Sequence, residues 1–418
     1  MTTTYADFDP AALDSETQLL CRKHFGSTRA SLGAMLGGMV EISSAGPWVQ
    51  ASDGRRYLDF GGYGVYLLGH RHPVVTAAVH RQLDLHPMAT RVFLEPVAAR
   101  TAAALAAITP GPLEMVHFVN SGAEATEAAL KLARANGKNA IVTTANGFHG
   151  KTLGALSVTA KPIFQDPFRP LLPEVTTVPF GDIDALTAAL AVVPGRGCVI
   201  VEPVQGEGGV RIPPPGYLRA VSDACRAHDA LLIVDEIQTG LGRLGTWWGI
   251  DVEDVVPDIL LVGKGLSGGV VPIAAMVATA AVYQPFSSDP YLHTSTFAAS
   301  PLACAAAEAA ISVIREENLT ARAADLGAQL LREITAIIAR HPAGDGVEIR
   351  GRGLLIGLEF REPAAVGELF LGLIEQGVLA NHSLNSSTVL RFSPPAVLED
   401  SEIGHFLTAF ETALAAAL

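Results

Sequence analysis

The middle of the chain alternates short apolar runs with amphipathic segments, and this alternation limits the fold more than any other feature. Residues 115–119, 140–143, 198–201, 231–234 and 259–262 read as strands, and residues 123–135 and 217–227 between them as helices. Strands separated by helices pair in parallel and need cover on both faces. The expected fold class is therefore α/β, with a mainly parallel sheet flanked by helices. Ligands on such sheets bind beyond the carboxyl ends of the strands.

The chain is long enough, at 418 residues, for two or three packed domains. After Ser300-Pro301 two long helical patterns run to about Arg340. Strand patterns follow at 347–360, 378–380 and 389–392, with helices at 364–375 and 402–418. A smaller α+β domain is expected there. Tyr57-Leu58-Asp59-Phe60 reads as a strand entering the glycine turn Gly61-Gly62-Tyr63-Gly64. The division expected is an N-terminal segment, 1–60, packing with the small domain; a large domain, 61–310; and a C-terminal small domain, 311–418.

Charge and composition exclude several roles. The net charge is −13, which argues against nucleic acid or an anionic membrane as partner. The longest uncharged stretch, 265–288, is broken by Gly268, Gly269, Pro272 and Pro285. It reads as a buried strand pair, since a membrane span needs ~20 apolar residues. The polar, acidic residues 1–10 lack a signal-peptide pattern. Cys21, Cys198, Cys225 and Cys304 are far apart, with no metal spacing, and read as free thiols. A cytoplasmic protein with no metal site is expected.

Two strand ends carry the chemistry. Residues 231–234 end in Asp235-Glu236, and 259–262 run into Gly263-Lys264-Gly265. An unpaired charge at a buried strand end is costly. Alone, the acid reads as a loop cap or arginine partner, and the lysine as a side chain reaching solvent. Together they project from the same sheet edge. A lysine among apolar residues has a depressed pKa and attacks carbonyls. A nearby acid keeps a heterocyclic nitrogen protonated. Pyridoxal 5'-phosphate needs this pair. Its phosphate needs N–H donors at a helix start, and Asn120-Ser121-Gly122-Ala123 offers them, whether or not Asn120 or Ser121 also serves as an ordinary cap. Two other glycine motifs do not hold up. Gly240-Leu241-Gly242-Arg243-Leu244-Gly245 fits a dinucleotide fingerprint, but no helix pattern follows it. Gly150-Lys151-Thr152 ends like a P-loop, but Ala145 stands where the first glycine belongs.

Taken in order, the segments from about Asp53 onward resemble the class III (ornithine and ω-amino-acid type) aminotransferases of PLP fold type I. The markers are Asn120-Ser121-Gly122-Ala123-Glu124-Ala125, Phe148-His149-Gly150, Glu202-Pro203-Val204-Gln205-Gly206-Glu207, Asp235-Glu236-Ile237-Gln238-Thr239-Gly240, Gly263-Lys264 and His293-Thr294-Ser295-Thr296-Phe297. The resemblance implies that Lys264 forms the Schiff base with the cofactor and moves the substrate proton. It implies that Asp235 pairs with the ring nitrogen, Gln238 with the ring hydroxyl, and that Phe148 and Ile237 flank the ring. Ser121, Gly122 and Ala123 would hold the phosphate, with Thr296 reaching the phosphate of a neighbouring subunit in a homodimer with shared sites. Glu202 would line the site. Arg391 would bind a carboxylate of the amino acceptor, and Glu207 would neutralise Arg391 when an amine is bound. Tyr63 matches a pocket-lining position, where loop packing is an equally good reading.

The substrate follows from departures within the resemblance. Ornithine and acetylornithine enzymes carry an arginine for the α-carboxylate where this chain has Lys151. The stretch Phe148-His149-Gly150-Lys151-Thr152-Leu153-Gly154-Ala155-Leu156-Ser157 is similar to putrescine aminotransferases, as are Pro170-Leu171-Leu172-Pro173 and Ser383-Leu384-Asn385-Ser386. Lysine lacks the planar fork for bidentate carboxylate binding. The expected reaction moves a primary amino group between a terminal amine or diamine and a 2-oxo acid such as 2-oxoglutarate, or aminates an aldehyde in reverse. An ornithine or acetylornithine specificity, a secondary-metabolite aldehyde, and an aminomutase or decarboxylating transaminase remain open. Ala298-Ala299-Ser300-Pro301 replaces the family's usual Gly-Gly-Asn-Pro.

Overall fold

The computed structural model describes residues 9–418; the polar start of the chain, residues 1–8, lies outside them. The apolar runs assemble into a seven-stranded sheet. Its order is Leu113–Val119, Ala274–Thr279, Ile259–Val262, Leu231–Asp235, Gly197–Val201, Ala140–Thr144 and Val175–Val178. All neighbours are parallel except Ala274–Thr279, which is antiparallel to both of its partners. Alternate residues leave opposite faces. Ile233 and Leu261 join one core cluster with Ala125, Ala129 and Leu132 of the helix Gly122–Ala135. Leu232, Val234 and Leu260 join the other, with Ile311 and Ile314 of the helix Pro301–Glu316. Burial on both faces explains why these strands are continuously apolar.

One expectation is corrected. Residues 265–288 do not form a strand pair; they hold the single strand Ala274–Thr279 and the helix Ala280–Ser288. Thr279 caps that helix, accepting the Val282 N–H at 3.4 Å. The next turn then buries Val282 and Phe286 on the same core as the strand. A short apolar run carries no signal that separates these two outcomes. Among the described residues no helix is long and apolar enough to cross a membrane. All four cysteines are free.

The C-terminal segment builds an antiparallel sheet ordered Val347–Arg352, Leu355–Phe360, Ser386–Phe392 and Asn381–Ser383. A third sheet joins distant parts of the chain. Glu41–Ala45, Trp48–Ala51 and Arg56–Asp59 are completed by Val378–Leu379, with Val378 opposite Leu58 in parallel register. Phe60 stacks on Phe406 at 3.8 Å and meets Phe392 edge-on. Trp48 Nε1 donates to Glu402 Oε1 at 2.8 Å. The helices Pro10–His24 and Ser27–Met35 precede this sheet.

The fingerprint-like residues 240–245 are structural. No α-helix follows them, only turns and the 3-10 segment Gly249–Glu253. Arg243 is fully buried and donates to the carbonyls of Leu354 and Pro394. Gly353 sits so close that a Cβ there would lie 2.5 Å from the Leu244 carbonyl carbon. These residues therefore tie the 240–245 loop to the C-terminal sheet, at the Gly353-Leu354 hairpin and at Pro394 just past the strand Ser386–Phe392.

The aromatic contact predicts a stability effect. Phe406→Ala should lower the unfolding free energy by about 3–5 kcal/mol, whereas Val192→Ala, at a largely exposed position, should change it by less than about 0.5 kcal/mol. Urea denaturation with a far-ultraviolet readout checks both.

Candidate active site

The carboxyl ends of the parallel strands deliver the functional groups. Asp235 ends the strand Leu231–Asp235, Glu202 follows Gly197–Val201, and Lys264 follows Ile259–Val262 after Gly263. Phe148 and His149 lie in the loop after Ala140–Thr144, and Gly122 opens the helix after Leu113–Val119. They enclose a cavity of about 260 Å³, lined by Gly122, Ala123, Phe148, His149, Gly150, Glu202, Asp235, Ile237, Gln238 and Lys264. A larger hollow of about 400 Å³, between residues 88–98 and 293–300, carries no buried lysine or strand-end acid.

Of the cavity's titratable groups, Asp235 is buried and paired with His149. His149 Nδ1 donates to Asp235 Oδ2 at 2.7 Å, and Asp235 Oδ1 accepts the Ile237 N–H at 3.1 Å. Burial disfavours a charged His149, but the Asp235 carboxylate outweighs it, and its pKa lies above the ordinary value. Burial pushes Glu202 up to about 7, although it accepts the Phe148 N–H at 2.9 Å. Burial lowers Lys264 to about 8, against the pull of Glu207. Its backbone is left-handed, with φ 43°, a strained conformation of a kind that concentrates at functional sites. Glu236, the neighbour of Asp235, is structural. Its carboxylate accepts from Thr239 Oγ1 and, at 3.0 Å, from the Ile250 N–H.

A second charged pair stands beside Lys264. Arg391 Nη1 and Glu207 Oε1 are 2.8 Å apart, with side chains 0% and 4% exposed. Glu207 Oε2 accepts the Leu384 N–H at 2.9 Å. Burial would raise the Glu207 pKa, but Arg391, Lys264 and this N–H together hold it below the ordinary value.

The remaining predicted residues are more scattered. Ser121 caps the helix Gly122–Ala135, accepting the Glu124 N–H at 3.2 Å, and lies outside the cavity lining. Tyr63 is 60% exposed, in the glycine turn that abuts Gln238. Lys151 is exposed; its Nζ lies 4.0 Å from the Phe164 ring centre and 6.0 Å from that of Phe148. The N–H groups of Gly154 and Ala155, just after it, are taken by Glu127 Oε1. Thr296 is exposed and does not reach the cavity of its own chain.

Sequence reasoning missed three contributors. His149 stood in a motif without a role; its partner is 86 residues away, so no local signal marks it. Gly150 takes φ 121°, and a Cβ there would lie 2.7 Å from Ala123 Cβ. At Gly206 a Cβ would fall 1.9 Å from Gln238 Oε1. Glycine in a charged loop was the available signal.

Comparison with known proteins places this geometry. A family model described as aminotransferase class-III matches residues 37–414. An ornithine aminotransferase from Toxoplasma gondii, with partial occupancy of PLP at its active site, is 36% identical; the match covers 91% of this chain and 90% of that one, with TM-score 0.85. A thermostable (S)-enantioselective ω-transaminase from Thermomicrobium roseum is 28% identical over 91% of this chain and 93% of that one, with TM-score 0.84. An amine transaminase from an uncultivated Pseudomonas species is 29% identical over 90% and 94%, with TM-score 0.82.

The lowered pKa of Lys264 gives a signed prediction. A lowered value means that the neutral, nucleophilic amine predominates above about 8. In cofactor-free protein the rate of reaction with pyridoxal phosphate should rise with pH and level off just above that value. The rate would be followed by stopped-flow absorbance. A continued rise past about pH 10, as for an ordinary lysine, contradicts the burial argument.

Proposed function

The chain belongs to the class III aminotransferases, a pyridoxal-phosphate-dependent family of transaminases, and on that premise we propose that it exchanges a primary amino group between a terminal amine or diamine of putrescine type and a 2-oxo acid such as 2-oxoglutarate. The observation that carries this reading is the buried Glu207–Arg391 pair beside Lys264. Closed, it presents a neutral wall to an amine without a carboxylate. Opened, it frees a guanidinium for the acceptor's carboxylate, which arginine holds by two parallel hydrogen bonds.

The cavity fits the cofactor. Gln238 Nε2 and His149 Nε2 are buried without hydrogen-bond partners among the described residues, a costly state unless a ligand or water supplies them. When bound, pyridoxal phosphate supplies an aldehyde for amines and a protonated ring that accepts electrons. In our assignment Lys264 bonds the cofactor and carries the proton. Asp235, held by His149 and the Ile237 N–H, keeps the ring nitrogen protonated. Gln238 meets the ring hydroxyl, Phe148 and Ile237 flank the ring, and Glu202 lines the pocket. The helix start at Ser121, Gly122 and Ala123 takes the phosphate, where the helix dipole favours an anion.

A homodimer belongs to the same reading. Thr296 is exposed and lies outside the lining of its own cavity, and an exposed apolar group, Val92, Phe93, Leu94 and Phe297, shares that part of the surface. Exposed apolar patches of this kind mark association surfaces. We assign Thr296 to the neighbouring subunit's phosphate.

The absence of a fixed guanidinium at Lys151 favours a donor without an α-carboxylate. The ammonium is occupied over Phe164, and Tyr63 stands at the cavity's glycine turn. The 36% identity to an ornithine aminotransferase favours a second reading, in which Lys151 swings in to hold an α-carboxylate. Amine-only bleaching separates the two. Putrescine or cadaverine should bleach the cofactor's band at roughly 400–430 nm; bleaching by ornithine or acetylornithine alone supports the second reading.

Arg391→Gln should raise KM for 2-oxoglutarate by about a hundredfold, the effect of losing a buried charge pair, and change KM for putrescine much less. Steady-state kinetics with each substrate varied in turn checks this. Equal losses for both substrates would show that Arg391 does not read the acceptor.

A further inference from the structure

The Glu207–Arg391 pair has a third participant, the turn at residues 383–386. Glu207 is held at both oxygens: Oε1 by Arg391 Nη1 at 2.8 Å and Oε2 by the Leu384 N–H at 2.9 Å. The turn that presents this N–H is itself fixed. Asn385 N–H donates to the Glu207 carbonyl at 3.0 Å. Asn385 Nδ2 donates to the carbonyls of Asn146 at 2.8 Å and Gly147 at 3.4 Å. Lys161 Nζ donates to the Asn385 carbonyl at 2.6 Å. Asn385 is buried, its bond to Gly147 is buried and those to Asn146 and Lys161 are partly so, and bonds withdrawn from water count for more.

We infer that Asn385 is a positioning residue that sets how readily Glu207 leaves Arg391, and so sets the balance between amine and 2-oxo acid at one site. The inference rests on the reading of Glu207 and Arg391 as a switch. For Arg391 to take an acceptor carboxylate, Glu207 must give up both contacts. An N–H fixed to two other loops cannot follow the carboxylate as it moves, so its bond is lost outright. If the turn were loose, Leu384 would travel with Glu207 and the open state would cost less. The amine-ready, closed state is therefore favoured by residues that touch neither substrate.

The direction of the effect follows. Asn385→Ala should raise KM for putrescine and lower KM for 2-oxoglutarate, changing their ratio by roughly fivefold to tenfold, the worth of one net hydrogen bond. The maximal rates of the two half-reactions should stay close to wild type. Lys161→Met should shift the ratio in the same direction, and it decides the matter if Asn385→Ala cannot hold the cofactor.

The test is a double-mutant cycle on the holoenzyme: wild type, Asn385→Ala, Glu207→Gln and the pair, with both KM values and both half-reaction rates. The expected result is a ratio shift from Asn385→Ala that vanishes in the Glu207→Gln background. The same shift in both backgrounds would mean that Asn385 acts through the Phe148 loop, and would overturn the inference. So would an unchanged ratio in Asn385→Ala and Lys161→Met while Glu207→Gln alone shifts it. If Glu207→Gln leaves the ratio unmoved, the switch reading fails, and the inference fails with it.

Discussion

Two opposite charges, Asp235 and Lys264, stand at the ends of neighbouring parallel strands, Asp235 buried and Lys264 half-buried on the cavity, and the surrounding structure makes that tolerable. Burying an ion alone costs several kcal/mol in real proteins. Asp235 is compensated by His149 and a backbone N–H. Lys264 is compensated only in part, since burial pulls its pKa to about 8 while Glu207, Asp235 and Glu202 pull the other way. The residual imbalance is chemically useful, because it leaves an amine that is a nucleophile near neutral pH. The parallel register supplies the geometry, with Asp235 directly opposite Leu261, three residues before Lys264.

The same logic extends outward from the strand ends. Gln238 and His149 keep buried polar atoms without partners, a pattern expected of a site whose ligand completes it. Arg391 shares that pattern: it forms an ion pair with Glu207 at 2.8 Å, yet its guanidinium nitrogens are buried without a hydrogen-bond partner among the described residues. Breaking such a pair inside a protein is costly, because neither ion can rest alone. The C-terminal sheet brings Arg391 from 156 residues beyond Asp235 in the chain, and the turn at 383–386 presents the Leu384 N–H to Glu207.

Legibility in the sequence followed locality. Asp235 and Lys264 were visible because a charge closing an apolar run is incongruous. The strands were visible because both of their faces are buried. His149 was not, because only the fold brings it to Asp235. Residues 265–288 were misjudged because Ala280–Ser288 is short and uncharged and buries only Val282 and Phe286, too few positions to show a helical period. The helices Pro10–His24 and Ser27–Met35 escaped notice for another reason. Leu19, Leu20, Phe25, Leu32 and Met35 stay exposed on them, so no clean apolar stripe sets their period. The parallel closure of Val378–Leu379 on Arg56–Asp59 joins segments more than 300 residues apart and leaves no local trace.

The central claim is that Lys264 carries the cofactor. It is tested most directly by reducing the holoenzyme with borohydride and locating the phosphopyridoxyl group by peptide mapping. The account predicts one modified residue, Lys264, and none in Lys264→Ala. A stable adduct on Lys151, Lys161 or any other lysine would contradict it, as would a holoenzyme with no adduct at all.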